Sequence, residues 1–164
     1  SDVQQVKVVN RLGKIIFVVS GNRGIEYLDA FGTPVSKLNK NEAFQIVSAS
    51  STLKPIDLEE ITESTKGSEF RGRDLPLFKV TSLNNKDKKI NLYLNVFSGE
   101  IIAVRSLQWR VWDLMWGFHI MDWQTRDKIN NIFLKIFSIL ALVSSISGIL
   151  LFFKIDHKSK KYDQ

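Results

Sequence analysis

The segment from Ile132 to Phe153, "IFLKIFSILALVSSISGILLFF", limits what this chain can fold into more than any other. It runs about 22 residues with Lys135 as its only charge, and a helix of that length crosses a hydrocarbon core of roughly 30 Å. Lys135 stands one turn inside the run, where a long side chain reaches back to the headgroups. A core helix of a globular protein keeps a polar face; the absence of one here predicts a transmembrane helix over 129–153. Ser144, Ser145, Ser147 and Gly148 are small enough to admit another transmembrane helix as partner, with Ser144 and Gly148 at small-xxx-small spacing.

Charge is distributed around that run. The net charge is +6, and up to Leu107 there are 15 basic against 12 acidic residues, so half of the excess lies later. Much of it is in the basic tail 154–164, "KIDHKSKKYDQ", with Lys154, Lys158, Lys160 and Lys161. Basic residues directly behind an apolar run mark a cytoplasmic membrane flank rather than a nucleic-acid arm, so the membrane is the expected partner and nucleic acid is not. The positive-inside rule then predicts a bacterial inner-membrane protein with one carboxyl-terminal span, a periplasmic globular domain and a cytoplasmic tail. Arg126, Lys128 and Lys135 on the other flank reduce that asymmetry. The chain has no cysteine, which excludes disulfides, thiolate metal sites and a cysteine nucleophile.

Residues 1–107 read as an α+β domain. "VQQVKVV", "KIIFVVS" and "GIEYLDAF" alternate with period two and predict a first strand meander over 3–36. "KLNKNEAFQIVSASS" predicts a helix capped by Asn39 or Asn41, with Ala43, Phe44, Ile46 and Val47 on its apolar face. "IDLEEITES", "LPLFKVTSL" and "INLYLNVFSGEIIAVRSL" follow as strands, joined by the polar tip "NNKDKK", so that helix and second meander occupy 39–107. "YLDAFGTPV" from Tyr27 and "YLNVFSGEI" from Tyr93 form an internal repeat, each at the end of a meander. The second copy has a helix before its strands and the first has none. The repeat therefore predicts an antiparallel sheet fold with a packed helix, in tandem, whose first helix is missing. Without that helix Ile15, Phe17 and Val19, or their alternates, are left partly exposed.

All four tryptophans lie in "WRVWDLMWGFHIMDWQTRD". Trp109, Trp112, Trp116, His119 and Trp123 follow 3,4,3,4 spacing, one stripe on a helix, which predicts an interfacial aromatic helix over 109–127. Indole rings favour the membrane–water boundary. An imidazole within such a stripe loses solvation and needs a partner: a backbone carbonyl, Asp113 or Asp122, or a metal. No hydrolytic motif is present, and the acids of "DLEEITES" alternate along a strand as a solvated face does.

The second meander, "NEAFQIVSA…LPLFKV…INLYLNVFSGEIIAV", resembles the PepSY domain family. The tryptophan segment with its following span looks like the carboxyl-terminal half of PepSY-associated transmembrane proteins, through Trp109, Arg110, Trp116, His119, Ile120, Met121, Asp122, Trp123, Arg126, Asp127 and Asn130. Members of that build usually begin with another transmembrane helix bearing a Trp-His or His-Arg-Trp element, which this sequence lacks. The resemblance implies one of two functions. The first is a non-enzymatic sensing or interaction module that binds partner proteins outside the cytoplasm. The second is a haem-bearing electron-transfer component, of ferric-chelate or respiratory reductase type, with His119 as one axial ligand of a b-type haem and the other on the missing helix.

Overall fold

The computed structural model describes residues 3–22 and 24–162, their side chains as far as Lys154. The chain divides into two compact units, Ser1–Val111 and Trp112–Gln164.

In the first unit β1 (Val3–Arg11), β2 (Lys14–Gly21) and β3 (Gly24–Leu28) form an antiparallel sheet in chain order. Arg11 pairs with Lys14 across a two-residue turn in which Leu12 (φ 51°) and Gly13 (φ 85°) are both left-handed, the turn that matches strand twist. The Asn10 carboxamide holds it by accepting from the Gly13 N–H at 2.8 Å. Next comes α1 (Lys40–Ser50). Of the two predicted caps Asn39 is the one used: its side chain accepts from the Glu42 N–H, and the Glu42 carboxylate accepts from the Asn39 N–H, each at 2.9 Å. Glu42 also takes Arg11 at 2.9 Å, while Arg11, 6% exposed, donates to the carbonyls of Ser36 and Phe97. One buried cation thus joins the first sheet to the helix start. The Asn39 N–H, with Arg11 beside it, holds the Glu42 carboxyl below its ordinary range.

The remaining strands, β4 (Lys54–Ile61), β5 (Leu77–Leu83), β6 (Lys89–Asn95) and β7 (Ile101–Arg105), form a second antiparallel sheet, also in chain order. The strands therefore make two sheets, one per repeat, rather than one. β4 begins before Pro55, which an edge strand tolerates because its missing N–H faces no neighbour. Ala43, Ile46 and Val47 of α1 pack on Phe78, Val80, Leu92 and Leu94, each such side chain adding about 1.5–3 kcal/mol. Gly99 (φ 73°) lies under this layer, where a Cβ would come within 2.4 Å of Ile46 Cδ1. The opposite face of the sheet buries Leu77, Tyr93 and Ala103 under Phe70 and Leu75, from the segment between β4 and β5.

The repeat extends to register. Phe17 pairs with Leu28 as Phe78 pairs with Leu94, and Val8 pairs with Phe17 as Glu60 pairs with Phe78. Ile16 and Leu77 are the matching buried positions on the other face. At the repeated turn Asp29 Oδ1 accepts from the N–H groups of Phe31 and Thr33, and Asn95 Oδ1 from those of Phe97 and Ser98. The second loop is one residue longer, closing from Asn95 to Glu100 rather than from Asp29 to Thr33. After the first turn only the single bridge Leu28–Pro34 stands where β7 stands in the second copy. The face that α1 covers in the second sheet is, in the first, the face of Val6, Val8, Ile15, Phe17, Val19 and Leu28, with Asn10 and Glu26 opposite Ile15 and Val19. Val6, Val8 and Ile15 are 54%, 59% and 52% exposed there.

The helix α2 (Leu107–His119) runs across the boundary into the second unit, which also contains α3 (Ile132–Tyr162). Within α3 the stretch Ile132–Lys154, 23 residues with a mean hydropathy of 2.4, is long and apolar enough to cross a membrane, and its most apolar part holds no buried residue. Two expected extents are corrected. The aromatic helix predicted over 109–127 ends at His119, and the span predicted from 129 begins at Ile132. The chain leaves the helix because Met121 turns left-handed (φ 54°), with the Asp122 N–H bonding the Gly117 carbonyl and the Met121 N–H that of Phe118. That is a Schellman cap.

Candidate functional site

In the first unit the densest polar grouping surrounds Glu69, in the segment between β4 and β5. Its carboxylate accepts from Asn91 Nδ2 at 3.0 Å, from the Tyr93 hydroxyl at 3.0 Å and from the Arg110 guanidinium through Nε and Nη2. Arg105 donates from Nε to the Glu69 carbonyl at 2.8 Å. Burial works against the charge of Glu69, yet the hydrogen bonds of Arg110, Asn91 and Tyr93 outweigh it and the carboxyl stays below its ordinary range. Tyr93 is pushed upward by burial and then by the adjoining carboxylate. Trp109 stands beside this grouping with the Arg105 guanidinium 4.0 Å from its ring centre and that of Arg71 at 5.8 Å.

In the second unit Trp112 and Trp116 stack at 6.0 Å with planes 7° apart, and His119 continues the row 5.8 Å from Trp116. The predicted five-ring stripe is thus three rings on this unit's part of α2. Trp109 belongs to the first unit, and Trp123, beyond the helix end, lies between Phe118 and Phe133. The His119 side chain is exposed and makes no hydrogen bond with a described residue. Neither expected carboxylate serves it. Asp113, 2% exposed, pairs with Arg126 at 3.0 Å. Asp122 accepts from the Thr125 hydroxyl and from the N–H groups of Thr125, Lys128 and Asp127, chiefly the hydroxyl, which draw its carboxyl far below the usual range.

Those contacts fold residues 120–131 into a latch between α2 and α3. Gly117 admits the Arg126 side chain, since a Cβ there would sit 2.7 Å from Arg126 Cγ. Asn131 donates to the carbonyls of Ile120 and Lys128 and accepts from the Leu134 N–H, capping α3. Much of the motif that carries the resemblance, Ile120, Met121, Asp122 and Arg126, therefore builds this turn. Among the lysines of the tail, Lys154 is exposed at the end of the apolar stretch; the side chains of Lys158, Lys160 and Lys161 lie outside the described residues. No group of three or more histidine or acidic side chains suited to a metal occurs among the described residues. No family of known proteins, no characterised protein and no solved structure matches this chain.

Proposed function

We propose that this chain is a membrane-anchored, non-enzymatic interaction module of PepSY type, whose sheet domain recognises a partner protein on the periplasmic side of a bacterial inner membrane. The observation that supports it is the bare face of the first sheet. Val6, Val8 and Ile15 stand about half exposed where the register-matched face of the second sheet lies under a helix. A largely apolar face is a recognition surface when no described element of its own unit covers it. A photo-crosslinking residue at Val8 or Ile15 in intact cells is expected to give a discrete protein adduct, lost on Val6→Glu, and one at Gln45 none. Absence of adducts from every position on the face would defeat the reading.

Orientation rests on the lysines at the end of α3. Protease added to spheroplasts is expected to degrade the sheet domain and spare the tail. The reverse pattern would invert the topology.

A second reading, electron transfer through a b-type haem, is favoured by His119, whose imidazole is exposed at the end of a ring row with both nitrogens unengaged by described residues. His119 would supply one haem ligand; the other histidine, His157, stands beyond the apolar stretch with its side chain outside the described residues, so the second donor would come from another transmembrane helix. A bound haem would supply one-electron chemistry, and His119 would hold it. Full-length protein expressed with excess haem should then show a Soret band that His119→Ala removes. Because the side chain makes no hydrogen bond here, that substitution should alter stability by no more than about 0.5 kcal/mol. A wild type without the band rules this reading out.

A further inference from the structure

The β5–β6 hairpin and the start of α2 enclose a cleft of about 420 Å³ whose chemistry neither reading uses. Three parts of the first unit line it: Thr52 after α1, the hairpin residues Asn84–Lys86 and Lys88–Ile90, and Ser106–Gln108. Lys86, Lys88 and Lys89 all reach it, and no carboxylate is among its lining residues. None of the three lysines is paired with a described acid, in contrast to Lys7, Lys37 and Lys79, each of which has a glutamate partner. The hairpin tip is held in shape without them, because Asn84 Oδ1 accepts from the N–H groups of Lys86 and Lys88 at 2.9 and 3.0 Å. The three lysines thus border a recess that is also lined by the neutral residues Thr52, Asn85 and Gln108.

Lysines that border one recess without an acid partner repel one another, and a bound anion reduces that repulsion. A chloride is too small to reach three lysines and the amides together, whereas a tetrahedral phosphate presents several acceptor oxygens to donors on different sides. We infer that this cleft binds a phosphate group, carried by a phospholipid headgroup or by a free phosphate compound. The inference stands apart from the partner-binding and haem readings.

The test uses the full chain in nanodiscs, following backbone amide resonances of Asn85, Lys86, Leu107 and Gln108. One arm titrates inorganic phosphate into phosphatidylcholine discs, with equal ionic strength of chloride as reference. The other replaces about a fifth of the lipid by phosphatidylglycerol, enough to give the surface the negative potential of an anionic leaflet. Shifts in the first arm assign a free phosphate; shifts in the second arm alone assign a lipid headgroup. With Lys86, Lys88 and Lys89 all changed to Gln the response should weaken about a hundredfold, near fivefold for each lysine. The core amide of Leu92 should stay in place, showing that the fold persists. Silence in both arms overturns the proposal, as does an equal response from chloride or from the triple variant. A Lys14→Gln/Lys40→Gln protein that weakens as much as the triple variant also overturns it, since attraction would then be diffuse.

Discussion

Replacing Asp113 by alanine is expected to open the latch between α2 and α3 at a cost of about 2–4 kcal/mol. The carboxylate is almost wholly buried and its partner Arg126 about a quarter exposed, so removal leaves a guanidinium with its charge poorly compensated. The value sits toward the lower end for broken buried pairs because Arg126 retains some water. Hydrogen exchange of amides 122–128 reads the opening directly, and it should accelerate by roughly 30- to 800-fold if that free energy is local. Changing both residues to leucine should recover much of the loss, since neither charge then needs a partner. Unaltered exchange in the alanine variant would mean that the caps of Asp122 and Asn131 hold the turn unaided.

Glu69→Ala is expected to destabilise the first unit by about 2–4 kcal/mol, because it strands the hydroxyl of buried Tyr93 and the donors of Asn91 and Arg110 together. Glu69→Gln keeps the shape and loses the charge, so its cost should be smaller and its signature lies in pH. The folded carboxyl titrates below its unfolded value, so its contribution is complete above about pH 4.5 and disappears as pH falls through the lowered folded value. Denaturant unfolding of wild type should therefore lose stability in that acid window, and the glutamine variant should lose less. Parallel acid limbs for the two proteins would show that Glu69 does not couple to folding.

The strands and α1 were legible because their order follows short-range rules. Period-two runs gave the strands, Asn39 and Glu42 at cap spacing gave the helix start, and the paired Tyr-Leu turns marked two stretches whose strands pair in the same register. Glu69 left no such trace. It lies in "SEFRGRD", a loop without periodicity, and its partners Asn91, Tyr93 and Arg110 meet it only once the sheet is folded. The end of α2 was obscured for another reason. Met121 occupies the left-handed position where glycine is usual, so the 3,4 spacing ran on to Trp123 unchecked. Asp113 and Arg126 were visible as charges, but their burial follows from the turn that Met121 and Asp122 impose.

Phe97 of the second repeat stacks on Tyr27 of the first at 4.9 Å, and Asn95 donates to the Tyr27 hydroxyl at 2.7 Å. The contact is head-to-tail: a plug on one copy enters a socket on the other. Such a contact has no built-in stop, and copies joined by it would continue into a filament. The chain carries a free plug in Phe31, 93% exposed, yet its remaining socket, Tyr93, is already filled by Phe70 at 5.6 Å. Phe70 comes from the segment between β4 and β5, which the first repeat replaces with a two-residue turn. That insertion fills the second socket from within its own repeat, so the described plug-and-socket contact joins the two copies once.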